Sequence, residues 1–269
     1  MKPPSNGPNN LTDEIVNTMS LSMQDTFKSV SPIILKNAGN TSSRSKADGS
    51  PVTDTDILVE QTIIKKFSEQ SPGIAVFGEE GGYENNLPQT YWLIDPIDGT
   101  SNFIKNVPTF TSMAVLISGQ DIISAIIYNP STDEMFTAQK GKGAYKNNQK
   151  LSLATTDLPN NALCKHEHID PINKILKPKH IECEVAPAGG GHGFTMVVDG
   201  KAAARFQLHS RGHIHDYAPG ALLVSEAGGA VIPIKCNVYT YECRSFIVCH
   251  PQIKDILAKN IEAIQLLEN

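Results

Sequence analysis

At 269 residues, 40% hydrophobic and 19% charged, the chain is long enough to bury a sizeable core and has the make-up of a soluble globular protein. A net charge of −5, with no basic stripe along the chain, excludes a general nucleic-acid surface but not an anionic substrate, since a bound metal inverts local charge. No apolar run approaches a membrane span, and Cys164, Cys183, Cys236, Cys243 and Cys249 match no zinc finger or ribbon, so they read as buried reduced thiols of a cytoplasmic protein.

Residues 1–10 are polar and rich in Pro and Asn, and read as a flexible arm without the basic start or apolar core of a signal peptide. Residues 11–36 carry Ile15, Met19, Met23, Phe27 and Val30 near helical spacing, and Pro32 is expected to kink or interrupt that helix. Residues 37–50 form a polar loop too long for a plain connector, holding Lys46 and Asp48. It reads as a mobile flap or a solvated linker. Residues 51–56 precede a helix with Ile57, Ile63, Ile64 and Phe67 on one face, and capping of that helix accounts for Asp54 and Asp56. A short apolar strand over 73–77 then runs into Gly78-Glu79-Glu80-Gly81-Gly82.

The chain is organised around residues 91–103. Tyr91 to Ile94 read as a buried strand ending at Asp95, and Pro96 suits the second position of a turn. A turn from Asp95 to Asp98 brings their Cα atoms within about 7 Å. Two bare carboxylates that close repel, and one would hold a proton. A divalent cation removes the conflict, and hard oxygen ligands of this kind suit Mg²⁺ with substrate phosphate. Gly99 and Thr100 follow as a phosphate cradle, where backbone can approach an anion closely. Asp, Pro and Gly are also ordinary turn residues, so the same stretch reads equally as a surface loop.

Further on, 111–117, 121–128 and 134–138 read as an antiparallel meander. Residues 150–185 show no clear periodicity, and His166 and His168 there read as surface histidines. A Gly-rich stretch at 188–192 leads into a helix and then a strand over 194–204. Residues 221–227 are helical in character and stopped by Gly228-Gly229, with Asp216 expected at an N-cap; His213 and His215 find no local partners for a zinc set. A last helix is expected over 251–267.

Together, Gly78-Glu79-Glu80, then Asp95-Pro-Ile-Asp98-Gly99-Thr100-x-Asn102-Phe103, then Asp216-x-Ala218-x-Gly220 with Glu226-Ala-Gly-Gly229, resemble the inositol monophosphatase family. Each motif is weak alone; the order and spacing of the three are specific. The resemblance implies an α/β (α+β) fold, a layered αβαβα sandwich forming one phosphatase domain over 11–269, with subdomains near 11–150 and 151–269. It implies a lithium-sensitive phosphomonoesterase using two or three Mg²⁺ ions on a small phosphorylated metabolite, and a homodimer with neither nucleic-acid nor membrane partners. By resemblance, Glu79, Asp95 and the Ile97 carbonyl hold one metal, and Asp95, Asp98 and Asp216 a second. A weaker third lies near Glu79 and Asp56. Thr100 and Glu79 orient the attacking water, and Lys46 stands where the family often has a loop lysine. Substrate contacts fall on Asp98, Gly99, Thr100, Ser101, Gly190, His192, His209 and Asp216.

Two positions depart from the family pattern. His215 stands where a Trp usually precedes the second-motif Asp, and His209 where inositol-specific members carry Glu. With Arg211 and His213 these make a basic or aromatic rim, which suits a second phosphate or a base, as in adenosine 3′,5′-bisphosphate phosphatases, or an imidazole-bearing phosphate. A non-catalytic binding protein on the same scaffold is the alternative of another class.

Overall fold

The computed structural model describes residues 11–71, 73–82, 87–208 and 212–268. The arm expected over 1–10 lies outside them, as do His209 and Arg211. The first half contains α1 (Asp13–Asn37), β1 (Ser43–Ser45), β2 (Pro51–Thr53), α2 (Asp54–Gln70), β3 (Ala75–Gly78), β4 (Thr90–Asp98) and α3 (Thr100–Ile104). A meander follows: β5 (Thr111–Ser118), β6 (Asp121–Asn129), β7 (Glu134–Gln139), β8 (Gly143–Lys146) and β9 (Gln149–Leu151). The rest comprises β10 (Asn161–Cys164), α4 (Ile169–Leu176), β11 (Glu182–Val185), α5 (Gly191–Val198), β12 (Ala204–Gln207) and α6 (Ile214–Glu226). It closes with β13 (Ala230–Pro233), β14 (Phe246–Cys249), α7 (Lys254–Lys259) and α8 (Ile261–Gln265).

Strands β3 to β9 form a seven-stranded sheet in sequence order, parallel only between β3 and β4. Its central strands are buried on both faces, so they read as continuous apolar runs rather than as alternation. Trp92, Ile94, Ala114 and Leu116 point to one core with Met23 and Phe27 of α1 and Ile63 and Phe67 of α2. Leu93, Met113, Val115 and Ile127 point to the other, with Phe194 of α5 and Tyr217 and Leu223 of α6. That second core continues onto Phe246 and Val248 of a five-stranded sheet ordered β11-β10-β12-β14-β13. The far face of this sheet, with Cys164, Ala204 and Ile247, packs on Ile172 of α4, Leu257 of α7 and Ile264 of α8. The result is the five-layer αβαβα sandwich.

Several expectations are corrected. Helix α1 runs through Pro32 without interruption, held on either side by buried Val30 and Ile34, and its core face carries Val16 rather than the exposed Ile15. The 37–50 loop contains β1, which pairs with β2 as a small hairpin. His168 is buried, whereas His166 is exposed. The last helix breaks at Asn260 into α7 and α8. Among the described residues no cysteine forms a disulfide; Cys164, Cys243 and Cys249 are buried as expected, but Cys236 is exposed.

Candidate active site

Strand β4 does not end at Asp95. It continues through Pro96 to Asp98 and carries a bulge: Asp95 pairs with Met113 and Asp98 with Thr111, so two residues, Pro96 and Ile97, stand opposite the single Ser112. In a regular strand residues i and i+3 face opposite sides, and one extra residue reverses that. The bulge therefore turns Asp95 and Asp98 to the same side. It also tolerates Pro96, which has no N–H to give a ladder. Asp95 Oδ1 accepts the Ile97 N–H at 3.0 Å, which braces the bend.

Asp216 arrives from the other half of the chain. It is the third residue of α6 rather than its cap, because the helix starts at Ile214, earlier than its apolar pattern indicates. Its carboxylate reaches back to the His213 N–H as a capping box. Carboxylate oxygens of Asp95, Asp98 and Asp216 lie within 4.8 Å of one another. Glu79 follows β3, whose parallel register beside β4 continues in a Glu79 N–H to Ile94 carbonyl bond of 3.1 Å. Ligand atoms of Glu79, His215 and Asp216 also meet within 4.8 Å. So His215, which local sequence leaves without metal-binding companions, does have two carboxylates beside it. Its buried imidazole is pushed down to about 4 by desolvation, despite the raising effect of Glu79.

The electrostatics are those of a carboxylate cluster awaiting positive charge. Burial first, then Glu79, Asp98 and Asp216, push the Asp95 carboxyl well above its ordinary range. Asp98 is raised to about 6 by burial and Asp216, against hydrogen bonds from Gly190, Gly191 and Thr111. Asp216 is raised to about 6 by burial and then Glu79. Lys46, at the hairpin tip, places Nζ 2.6 Å from Glu79 Oε1 and 2.8 Å from Glu80 Oε1. Burial works against its charge, but these two partners outweigh it and hold the ammonium above its usual range.

Asp56 both caps and faces the site. Its Oδ2 accepts from the Thr53 backbone N–H at 2.9 Å and from the Thr53 hydroxyl, while its Oδ1 lies 3.3 Å from Thr100 Oγ1. Thr100 Oγ1 is also 3.2 Å from the Ile97 carbonyl. Asp54, by contrast, is exposed and pairs with Arg44. Glu79, Asp95, Ile97, Asp98, Gly99, Thr100, Ser101 and Asp216 all line one cavity of about 170 Å³. Gly189 closes it from the other half: with φ at +87°, it packs so tightly that a Cβ would sit 2.7 Å from Asp98 Oδ2. A second cavity of about 470 Å³ shares Asp98, Gly189 and Asp216 with the first and adds Gly190. His192 lies on α5 and borders neither cavity.

The sequence matches the inositol monophosphatase family over residues 17–266. The chain belongs to that family. It is 32% identical over 252 residues to an inositol monophosphatase of Dictyostelium discoideum, covering 87% of this chain and 92% of the relative. It is 30% identical over 217 residues to the 3′(2′),5′-bisphosphate nucleotidase CysQ of Aggregatibacter actinomycetemcomitans, covering 76% and 80%. In fold it matches the Thermotoga maritima IMPase with a TM-score of 0.79 at 19% identity, over 94% of this chain and 100% of that one. As a member of the inositol monophosphatase family the chain is a phosphoric monoester hydrolase of a metal-dependent class, acting on small phosphorylated substrates.

Three groups around this inositol monophosphatase-family site escape sequence reasoning. Buried Glu60 accepts the Glu80 and Gly81 N–H groups at 2.7 Å each and shapes the turn that presents Glu79. It sits one helical turn after Asp56, and that i, i+4 spacing is the available signal. Thr111 donates to Asp98 Oδ2 at 3.1 Å. Arg205, buried in β12, lines the larger cavity.

Proposed function

We propose that this protein is a Mg²⁺-dependent phosphomonoesterase that hydrolyses its substrate by direct attack of water on phosphorus. The observation carrying this reading is the convergence of Asp95, Asp98 and Asp216 within 4.8 Å, each carboxyl raised first by burial and then by at least one neighbouring carboxylate. Such a donor set is all hard oxygen, and its mutual repulsion is relieved by divalent cations. Glu79, Asp95 and the Ile97 carbonyl would hold one ion, Asp95, Asp98 and Asp216 a second, and Glu79 with Asp56 a weaker third. Bound ions would supply charge neutralisation for the attacking and leaving oxygens and lower the pKa of the attacking water.

The chain's own residues do the rest. Thr100, steadied by Asp56 and the Ile97 carbonyl, aligns the attacking water together with Glu79. Backbone of Gly99, Thr100 and Ser101 faces the phosphate oxygens. Water oxygen forms the new bond to phosphorus, the bond to the substrate's alkoxide oxygen breaks, and that oxygen takes up a proton. Neither a Ser nor a Cys nucleophile is required. Lys46 neutralises Glu79 when the ions are away. A homodimer is part of this reading, by family resemblance.

The test is phosphate release from a panel of monoesters with Mg²⁺ and with chelator, beside Asp95→Asn. Asp95 serves both main ions, so its loss is expected to cost more than the roughly 10–100-fold seen when only a supporting contact is removed. Near-normal turnover by Asp95→Asn at ordinary Mg²⁺ would sink the assignment. Release unaffected by chelator would do the same for metal dependence.

A further inference from the structure

Strands β13 and β14 run antiparallel with Pro233 opposite Phe246, and the Ile234 N–H continues the ladder to the Ser245 carbonyl at 3.1 Å. Two positions further on, the same register sets Cys236 opposite Cys243. Their thiols meet in a hydrogen bond across the connection. Cys236 is exposed, whereas Cys243 is only 3% accessible. The intervening chain folds over the Cys243 sulfur: its thiol donates to the Val238 carbonyl at 3.6 Å and lies 3.7 Å from Thr240 Oγ1. The connection is anchored on two sides. The Tyr239 ring stands 4.9 Å from the Phe246 ring, and the Tyr241 hydroxyl donates to the Gly119 carbonyl at 3.0 Å.

Directly opposed residues of an antiparallel pair have Cα atoms about 4.5–5.5 Å apart, inside the range of about 4.4–6.8 Å that a disulfide spans. The other neighbouring thiols fail that test. Cys164 and Cys183 also share a hydrogen bond, but in their parallel register Cys164 faces Val185 and Cys183 faces Ala162. Two steps along the strand put their Cα atoms roughly 8 Å apart, beyond disulfide reach. Cys249 is buried in β14, and desolvation pushes its thiol up to about 12. An accessible thiol with a second thiol behind it is the arrangement that meets an oxidant and then resolves the product.

We propose that Cys236 and Cys243 form a reversible thiol-oxidation site, closing a disulfide across the β13–β14 connection at the expense of a small-molecule disulfide such as oxidised glutathione. The Cys236 thiolate attacks one sulfur of that disulfide, whose S–S bond breaks and releases one thiolate. The Cys243 thiolate then attacks the Cys236 sulfur, and the mixed disulfide breaks to release the second. Two electrons pass from the protein thiols to the small disulfide, and the two thiol protons end on the released thiols.

Trypsin cuts after Lys235 and Arg244, so residues 236–244 leave the chain as one peptide holding both cysteines, and closure reads as a loss of two hydrogens, about 2 Da. The full chain is equilibrated with a series of oxidised to reduced glutathione ratios, its remaining thiols are blocked, and the digest is weighed. Mildly alkaline buffer is used because the shared hydrogen bond raises the Cys236 thiol above its ordinary range. The 236–244 peptide is expected to close and to reopen with dithiothreitol, while Cys164, Cys183 and Cys249 are recovered as blocked thiols. The closure constant should exceed that of the urea-unfolded chain by about tenfold or more. By the same linkage, the closed protein should melt a few degrees above the reduced one. In Cys243→Ser the exposed Cys236 should take up one glutathione reversibly; in Cys236→Ser the buried Cys243 should take up none. A peptide that stays open at every ratio overturns the proposal, as does Cys236 that carries glutathione without closing. A closure constant no higher than in urea, or a Tm lowered by closure, does the same. These wild-type readings decide the matter even where a variant fails to fold.

Discussion

Lys46 Nζ lies 2.6 Å from Glu79 Oε1, so the tip of the β1–β2 hairpin is latched to the carboxylate that the first metal would need. The hairpin is otherwise short, with β1 exposed and Pro51 and Val52 half-buried, and among its six strand residues only Thr53 is buried. Metal and ammonium compete for one group. Replacing Lys46 by Met removes the competitor and a nearby positive charge. The half-saturating Mg²⁺ concentration is expected to fall a few-fold, measured by calorimetry. A higher concentration would show that Lys46 assists metal binding instead.

In chelator-treated protein the acidic cluster makes stability fall as pH rises. Asp98 and Asp216 move from an ordinary value of 3.8 to about 6, by burial first and neighbouring carboxylates second, and Asp95 moves the same way. The folded state therefore holds more protons than the unfolded chain. Stability from these groups is fully present below their unfolded value and lost as pH climbs through about 6. The Tm with chelator is expected to drop across that window by several degrees, and Mg²⁺ should abolish the drop. A Tm rising over the same window in chelator would refute this account.

Thr53 and Asp54 are neighbours with opposite expectations. Thr53 is fully buried and closes the capping box with Asp56. Thr53→Val should cost about 1–2 kcal/mol in urea unfolding and lower turnover by loosening Asp56. Asp54 makes only an exposed pair with Arg44. Asp54→Ala should change stability by less than about 1 kcal/mol. Equal effects of the two would mean that Asp56 is not held by the cap.

Gly189→Ala places a Cβ against Asp98 Oδ2 and the Gly99 backbone, at a positive φ that Ala resists. A destabilisation of about 1–3 kcal/mol is expected, with a fall in kcat larger than that of Gly228→Ala. Gly228 also has a positive φ, but its Cβ would meet nothing within 4 Å. The comparison separates backbone strain from damage to the site, and matching kcat values would exclude the close approach as a functional constraint.

The acidic motifs, the meander and the family were legible in the sequence because they depend on residues close together in the chain. Asp95 and Asp98 are three apart, and the strands β5, β6 and β7 are joined by short turns. Residues 150–185 were opaque because β10 and β11 are four residues each and pair in parallel, with no hairpin signal between them. Tertiary structure alone decided the rest. It made the expected Asp95–Asp98 turn a bulge, since that choice depends on the partner strand β5. It brought Asp216 and His215 to Glu79, and set Arg205 beside Asp98. These groups come from distant segments, and only burial of both faces of the large sheet forces them together: local propensity can place a carboxylate on a turn, but packing determines which charges must share one volume.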